Sequence, residues 1–258
     1  MQILVTNDDG ITAGSLWALV TELQKIANVT VIAPDRERSA IGTAVTLFEP
    51  LHVKESEAPT KGTTTYAVDG SPSDCVILGL GKLIRDSVDI VVSGVNPNLN
   101  VGEDVYISGT VGAAMQGYFR GLPAVAVSAP LGSQTGIYVA AEVAARLVKS
   151  MEKNRAGKIF LNLNVPDLPL KETRGVKITR LARSSHINTV EEENEGQQTQ
   201  YRLVRERLAE AGSDGTDIQA VVQGYISITP LYTRLLEKPP QHLLKKLSSE
   251  LAAWIKKD

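Results

Sequence analysis

The stretch Ile3-Leu4-Val5-Thr6-Asn7-Asp8-Asp9-Gly10 decides how this chain is read. A short continuous apolar run ended by a turn signal is the pattern of a core strand in a parallel sheet, buried on both faces. Asp8 and Asp9 then fall just past the strand's carboxyl end, the edge at which open α/β sheets bind their ligands. Two neighbouring carboxylates repel one another unless something positive holds them. A hard divalent cation, which prefers carboxylate oxygen, would do so. The competing reading is a solvated turn with a helix cap, since Asp and Gly are common turn formers.

Working outward, Leu16, Leu19, Val20 and Leu23 have helical spacing, so strand, acidic turn and helix open a βαβ unit. Val29 to Ala33 is the next strand, followed by the polar segment Pro34-Asp35-Arg36-Glu37-Arg38-Ser39-Ala40-Ile41-Gly42. Successive parallel strands put such loops on one sheet edge, which brings Ser39 within reach of Asp8 and Asp9. Alone, Ser39 reads as a turn or cap residue. Val88 to Ser93 is a third buried strand and runs into a loop dense in Gly, Pro and Asn, from Gly94 to Gly102. Asn96 stands to this strand much as Asp8 stands to the first. Its amide oxygen suits a set of oxygen ligands, and equally an Asx-turn. Ser108-Gly109-Thr110 precedes small helix formers, so it marks a helix amino terminus. Such a terminus either binds phosphate through its free N–H groups or is simply capped by a hydroxyl. The absence of a Gly-Lys-Ser/Thr ending excludes a Walker loop.

The remaining segments fill in an α/β pattern. Val45 to Val53 and Thr63 to Val68 are predicted extended, and Ser71-Pro72 opens a helix as N-cap and first-turn proline. Pro123 to Ser128 is a fourth strand, and a helix covers about Tyr138 to Met151. Ile159 to Pro166 alternates like a half-buried strand with Asn162 and Asn164 on one face. Val176 to Leu181 and Val221 to Thr229 are predicted extended, and the acidic run from Glu191 to Gln198 is predicted to be a solvated loop. After Pro239-Pro240, Leu243, Leu244, Leu247, Leu251, Trp254 and Ile255 share one face of a terminal helix.

Composition excludes several classes of function. With 258 residues, 43% hydrophobic and 22% charged, the chain can bury a sizeable core. A net charge of −2 gives no basic footprint for a polynucleotide. No segment is long and apolar enough to span a membrane, the start has no signal-peptide pattern, and a cytoplasmic protein is expected. Cys75 is the lone cysteine and lies in an apolar run, so it reads as a buried small hydrophobe. His52, His186 and His242 are scattered outside the three strand-end loops and read as surface or structural residues.

Taken together, Ile3 to Gly14, the Pro34 to Ser39 loop, Asp69 to Val76, Ser93 to Asn96, Ser108 to Val111, Leu161 to Pro166 and Gly224 to Leu231 closely resemble the SurE family of 5'/3'-nucleotidases. The resemblance covers nearly the whole chain. It implies a Rossmann-like, three-layer fold: a mostly parallel sheet with helices on both faces, plus a C-terminal hairpin and terminal helix. Residues 1–170 would form the metal- and phosphate-binding core, and residues 171–258 the segment that assembles subunits. The implied activity is hydrolysis of nucleoside monophosphates with one divalent cation, Mg²⁺ or Mn²⁺, per subunit. Asp8, Asp9, Ser39 and Asn96 match the family's metal ligands, with Asp8, Asp9 and Asn96 central to catalysis. Asn7, Ser108, Gly109 and Thr110 match its phosphate side. A homodimer or homotetramer exchanging C-terminal segments is also implied. The chain departs from the family at Asn98, where Gly is usual, at Gln116, where Glu is common, and most of all from Arg183 to Gly212. Two other readings are a phosphatase of the haloacid dehalogenase type and a metal-dependent nucleotide sensor without turnover. The first is weakened because its two aspartates are separated by one residue, whereas Asp8 and Asp9 are adjacent.

Overall fold

The computed structural model describes residues 1–183, 186–195, 198–207 and 213–231. Its elements run β1 (Gln2–Thr6), α1 (Gly14–Gln24), β2 (Asn28–Pro34), β3 (Val53–Glu55), β4 (Thr64–Val68), α2 (Pro72–Leu78), β5 (Ile90–Asn96), α3 (Gly109–Phe119), β6 (Ala124–Ser128), α4 (Gln134–Lys153), β7 (Phe160–Asn164), β8 (Val176–Ile178), β9 (His186–Glu195), β10 (Gln198–Arg207), α5 (Asp217–Val222) and β11 (Ile226–Pro230). Nine strands form one sheet in the order β3-β4-β2-β1-β5-β6-β7-β11-β8. From β4 to β7 all neighbours are parallel, while β3 and β11 run antiparallel to β4 and β7.

The first strand explains the layering. Side chains alternate across a strand, and here both faces are covered. Ile3 and Val5 pack with α1 and α4, whereas Leu4 packs with α2 and α3 on the opposite face. All three are fully buried. Each such side chain contributes about 1.5–3 kcal/mol relative to exposure, so a one-residue register slip would exchange the two faces. The three-layer α/β expectation holds. Among the described residues no helix is long and apolar enough to cross a membrane.

Several local expectations need correction. Val45 to Val53 is mostly irregular, with only Val53 joining β3, and Leu47 and Phe48 are exposed. β-branched composition alone does not make a strand where no partner edge exists. Residues 160–164 are buried on both faces rather than half-buried. There the two asparagines behave as hydrogen-bonded sheet residues: the side-chain amides of Asn162 and Asn164 donate to the Asn100 carbonyl at 2.7 and 3.1 Å. Of the range Val221 to Thr229, Ile226 to Thr229 is extended as part of β11, whereas Val221 and Val222 end the helix α5 that Thr216 caps. The acidic run from Glu191 is not a loop. It forms β9, which pairs antiparallel with β10, the hairpin that the family resemblance implied. The terminal helix expected around Leu243 to Ile255 lies outside the described residues.

Candidate active site

Three loops leave the carboxyl ends of β1, β2 and β5 on the same edge of the sheet. The first two are tied together by backbone hydrogen bonds. The Asp8 carbonyl accepts from the Arg38 N–H at 2.7 Å, and the Pro34 carbonyl from the Ile11 N–H at 2.8 Å. Gly10 makes this approach possible. Its φ is +97°, and a Cβ there would stand 2.9 Å from the Arg36 carbonyl carbon. Helix α3 closes the site from the other side. A Cβ on Gly109 would lie 2.8 Å from the Asp8 Cβ, so only glycine lets the first turn come this close.

The result is a cleft of about 380 Å³ lined by Asp8, Asp9, Ser39, Asn96 and Ser108 among others. All four residues expected to hold a cation therefore meet in one place. Asn7, Gly109 and Thr110 sit behind the wall rather than on it. The Asn7 amide donates to the Gly10 carbonyl at 3.0 Å and shapes the turn. Ser108 accepts from the Val111 N–H at 3.1 Å, capping α3. The Thr110 hydroxyl donates to the Asp8 carboxylate.

Electrostatics in the cleft are unbalanced. Asp8 is 4% exposed, and burial raises its carboxyl above the ordinary value despite the Thr110 hydrogen bonds. Burial, then the charge of Asp8, then that of Glu37, push Asp9 up to about 7. One Asp9 oxygen is buried without a hydrogen-bond partner. The Ser39 hydroxyl donates to Glu37 at 2.6 Å, and the Asn96 amide nitrogen donates to the Asn98 carbonyl at 2.5 Å, which turns the amide's acceptor role elsewhere. An orphaned carboxylate oxygen beside a second, buried carboxylate, a hydroxyl and an amide oxygen is a hard donor set, and its chemistry fits a hard divalent cation. Among the described residues no group of three or more His, Cys, Asp or Glu is placed to hold a metal ion, so the fit rests on this mixed set.

Sequence reading missed part of the cleft. Glu37, Asp104, His186 and Arg205 also line it. His186 was expected to be a surface or structural residue, yet its Nδ1 lies 3.0 Å from Asp104, and the Arg205 guanidinium lies 2.9 Å from the same carboxylate oxygen. Both side chains come from the β9–β10 hairpin. Glu37 was legible as a neighbour of Ser39, but nothing local marks His186 or Arg205. The expectations for Cys75 and His52 hold: Cys75 is buried, which pushes its thiol well up, and His52 is a surface residue paired with Asp69, while His242 lies outside the described residues.

A doubly wound sheet with a carboxylate-lined cleft at the carboxyl edge of its first strand, beside a helix start, defines a Rossmann-like α/β protein with an acidic cleft where such sheets bind their ligands. Residues 3–188 match the family model described as survival protein SurE, and the chain belongs to the SurE family. It is 48% identical over 246 residues to the 5'-nucleotidase SurE of Dehalococcoides mccartyi strain CBDB1, covering 93% of this chain and 91% of that protein. It is 41% identical over 237 residues to the 5'-nucleotidase SurE of Haemophilus influenzae strain Rd, covering 91% and 92% of the two chains. A crystal structure of the SurE protein from Aquifex aeolicus superposes with a TM-score of 0.82 at 32% identity, covering 96% of this chain and 100% of that one.

Proposed function

We propose that this chain hydrolyses nucleoside monophosphates to nucleoside and phosphate with the help of one divalent cation, Mg²⁺ or Mn²⁺. The observation that carries the reading is the Asp8–Asp9 pair: a buried and a half-buried carboxylate side by side near the amino end of α3, both pushed up by burial, in a family whose relatives are named 5'-nucleotidase. Asp8, Asp9, Ser39 and Asn96 would hold the cation. When bound, the cation supplies Lewis acidity toward the phosphoryl group.

This chain's own residues do the rest. Thr110 fixes Asp8 by its hydroxyl. Ser108 caps α3, whose amino end would turn its positive pole toward the phosphate from behind the cleft wall, where the Thr110 N–H is taken up by Asp8 and Asn7 holds the facing turn. Asp9 keeps one oxygen for the cation or for the proton of an attacking water. The expected reaction is in-line attack by water on the phosphorus, breaking the bond to the nucleoside oxygen. Asp8, Asp9 and Asn96 are the residues on which it depends.

A homodimer or homotetramer exchanging C-terminal segments belongs to the same proposal. It is supported by an apolar groove of about 720 Å³, lined by Met115, Phe119, Phe160 and Leu231, at the point where the described residues end. Light scattering of the whole chain tests it, and a monomer would remove it. The activity is tested by a phosphate-release screen over nucleoside monophosphates with Mn²⁺ or with EDTA. Cation-dependent release is expected, and turnover indifferent to EDTA would overturn the metal assignment. Nucleotide binding without release would favour the sensor.

A further inference from the structure

We propose that Arg205 and His186, delivered by the β9–β10 hairpin, are specificity-determining residues that contact the nucleoside half of the substrate rather than its phosphate. This rests on the phosphatase reading above. The lining of the cleft is of two kinds. One end holds the carboxylate pair and the cap of α3, and it suits a cation and a phosphoryl group. The remaining lining is of a different kind: exposed Leu131, buried Leu99, and the Asp104–His186–Arg205 cluster.

Asp104 is what joins the two ends. Its carboxylate meets His186 Nδ1 at 3.0 Å and Arg205 Nη2 at 2.9 Å. Its carbonyl accepts from the Ile107 and Ser108 N–H groups at 3.1 and 3.0 Å. The two hairpin side chains are therefore held in register with the α3 cap through a single residue. Asp104 is 9% exposed at its side chain and His186 11%, so the pair is largely shielded from water, while Arg205 at 35% reaches the open part of the cleft. A guanidinium carries five N–H donors in a planar fork, and the contact with Asp104 engages one of its terminal nitrogens. Donors of this geometry in one cleft with an apolar Leu131 match a group that has hydroxyl or ring acceptors and a flat apolar face. A nucleoside is such a group. Asp104 is a positioning residue in this arrangement, since it acts through His186 and Arg205.

The test compares AMP with p-nitrophenyl phosphate, which keeps the phosphomonoester and replaces the nucleoside, both with saturating Mn²⁺. Losing a charged hydrogen bond to the nucleoside should cost about tenfold in kcat/KM. For Arg205→Ala the loss with AMP should exceed the loss with p-nitrophenyl phosphate by about that factor, and it should appear mainly in KM. Arg205→Lys, which keeps the charge without the fork, should recover part of the difference. His186→Ala should show the same selectivity, and Mn²⁺ affinity measured by calorimetry should shift less than twofold in each variant, roughly within the scatter of a surface change. Equal losses on the two substrates, or none, would overturn the inference while leaving the phosphatase reading standing. Wild-type protein that releases phosphate from neither compound would overturn both.

Discussion

Replacing Asp9 by Asn should stabilise the metal-free protein at alkaline pH, and the gain should shrink as the pH falls. In the fold, burial and the charges of Asp8 and Glu37 hold the Asp9 carboxyl at about 7, above its ordinary value of 3.8. A carboxyl raised on folding favours the folded state fully below its unfolded value. That contribution is lost as pH rises through the folded one. The window therefore runs from 3.8 to about 7. At about 1.4 kcal/mol per unit the full span amounts to roughly 4 kcal/mol, and halving it for the part of the side chain that meets solvent leaves about 2 kcal/mol. Urea unfolding in EDTA at about pH 5 and pH 8 reads the difference between wild type and variant, with the larger advantage for Asn expected at the higher pH. Mn²⁺ should invert the order. At a hundredfold excess over its dissociation constant, the wild type gains about 2.7 kcal/mol that the variant largely forgoes. An advantage for Asn that does not change with pH, or a variant stabilised by Mn²⁺ as much as the wild type, would refute the reasoning.

Three further outcomes follow from contacts around the cleft. Thr110→Val removes the hydroxyl that donates to Asp8, and should cost about 1–3 kcal/mol of stability in EDTA together with weaker Mn²⁺ binding, read by calorimetry. Gly109→Ala puts a methyl 2.8 Å from the Asp8 Cβ, and should lower kcat/KM by roughly tenfold or more and bring the thermal melt down as well. Asp217 lies far from the chemistry, and its carboxylate accepts from the Gly102, Ala182 and Ile218 N–H groups at 2.8, 2.9 and 2.9 Å. Asp217→Asn turns one acceptor into a donor facing an N–H, so a loss of about 2–4 kcal/mol is expected in urea melts.

What could be read from the sequence follows burial. β1, β2 and β5 announce themselves because both faces are covered, which leaves continuous apolar runs ending in polar loops. Parallel strands then fix where those loops meet, and Asp8, Asp9, Ser39 and Asn96 do share one cleft. The hairpin follows the opposite logic. Glu191, Glu192, Tyr201 and Arg202 are all exposed, so no buried face prints a period of two, and charge alone reads as loop. Val45 to Leu51 misleads for the reverse reason: its β-branched and apolar residues lie in an irregular segment with little to pack against. Contacts such as His186 to Asp104 join residues 82 positions apart through an element that the local pattern conceals.

Asp8 explains why the cleft can tolerate its own repulsion. Its carbonyl holds the β2 loop through Arg38, and its side chain holds α3 through Thr110. Around it, Gly10 and Gly109 remove the atoms that would keep those elements apart. The two carboxylates are thus placed by packing and backbone bonds that do not depend on a cation. The electrostatic cost of that placement is a standing one, carried by the hydrophobic core on both faces of the sheet. A cation entering such a site has little chain to order, so its binding energy goes into relieving charge rather than into folding a loop. Calorimetry should accordingly find a small heat-capacity change on Mn²⁺ binding, because little apolar surface is buried. A large negative value would mean that the loops close only when the ion arrives.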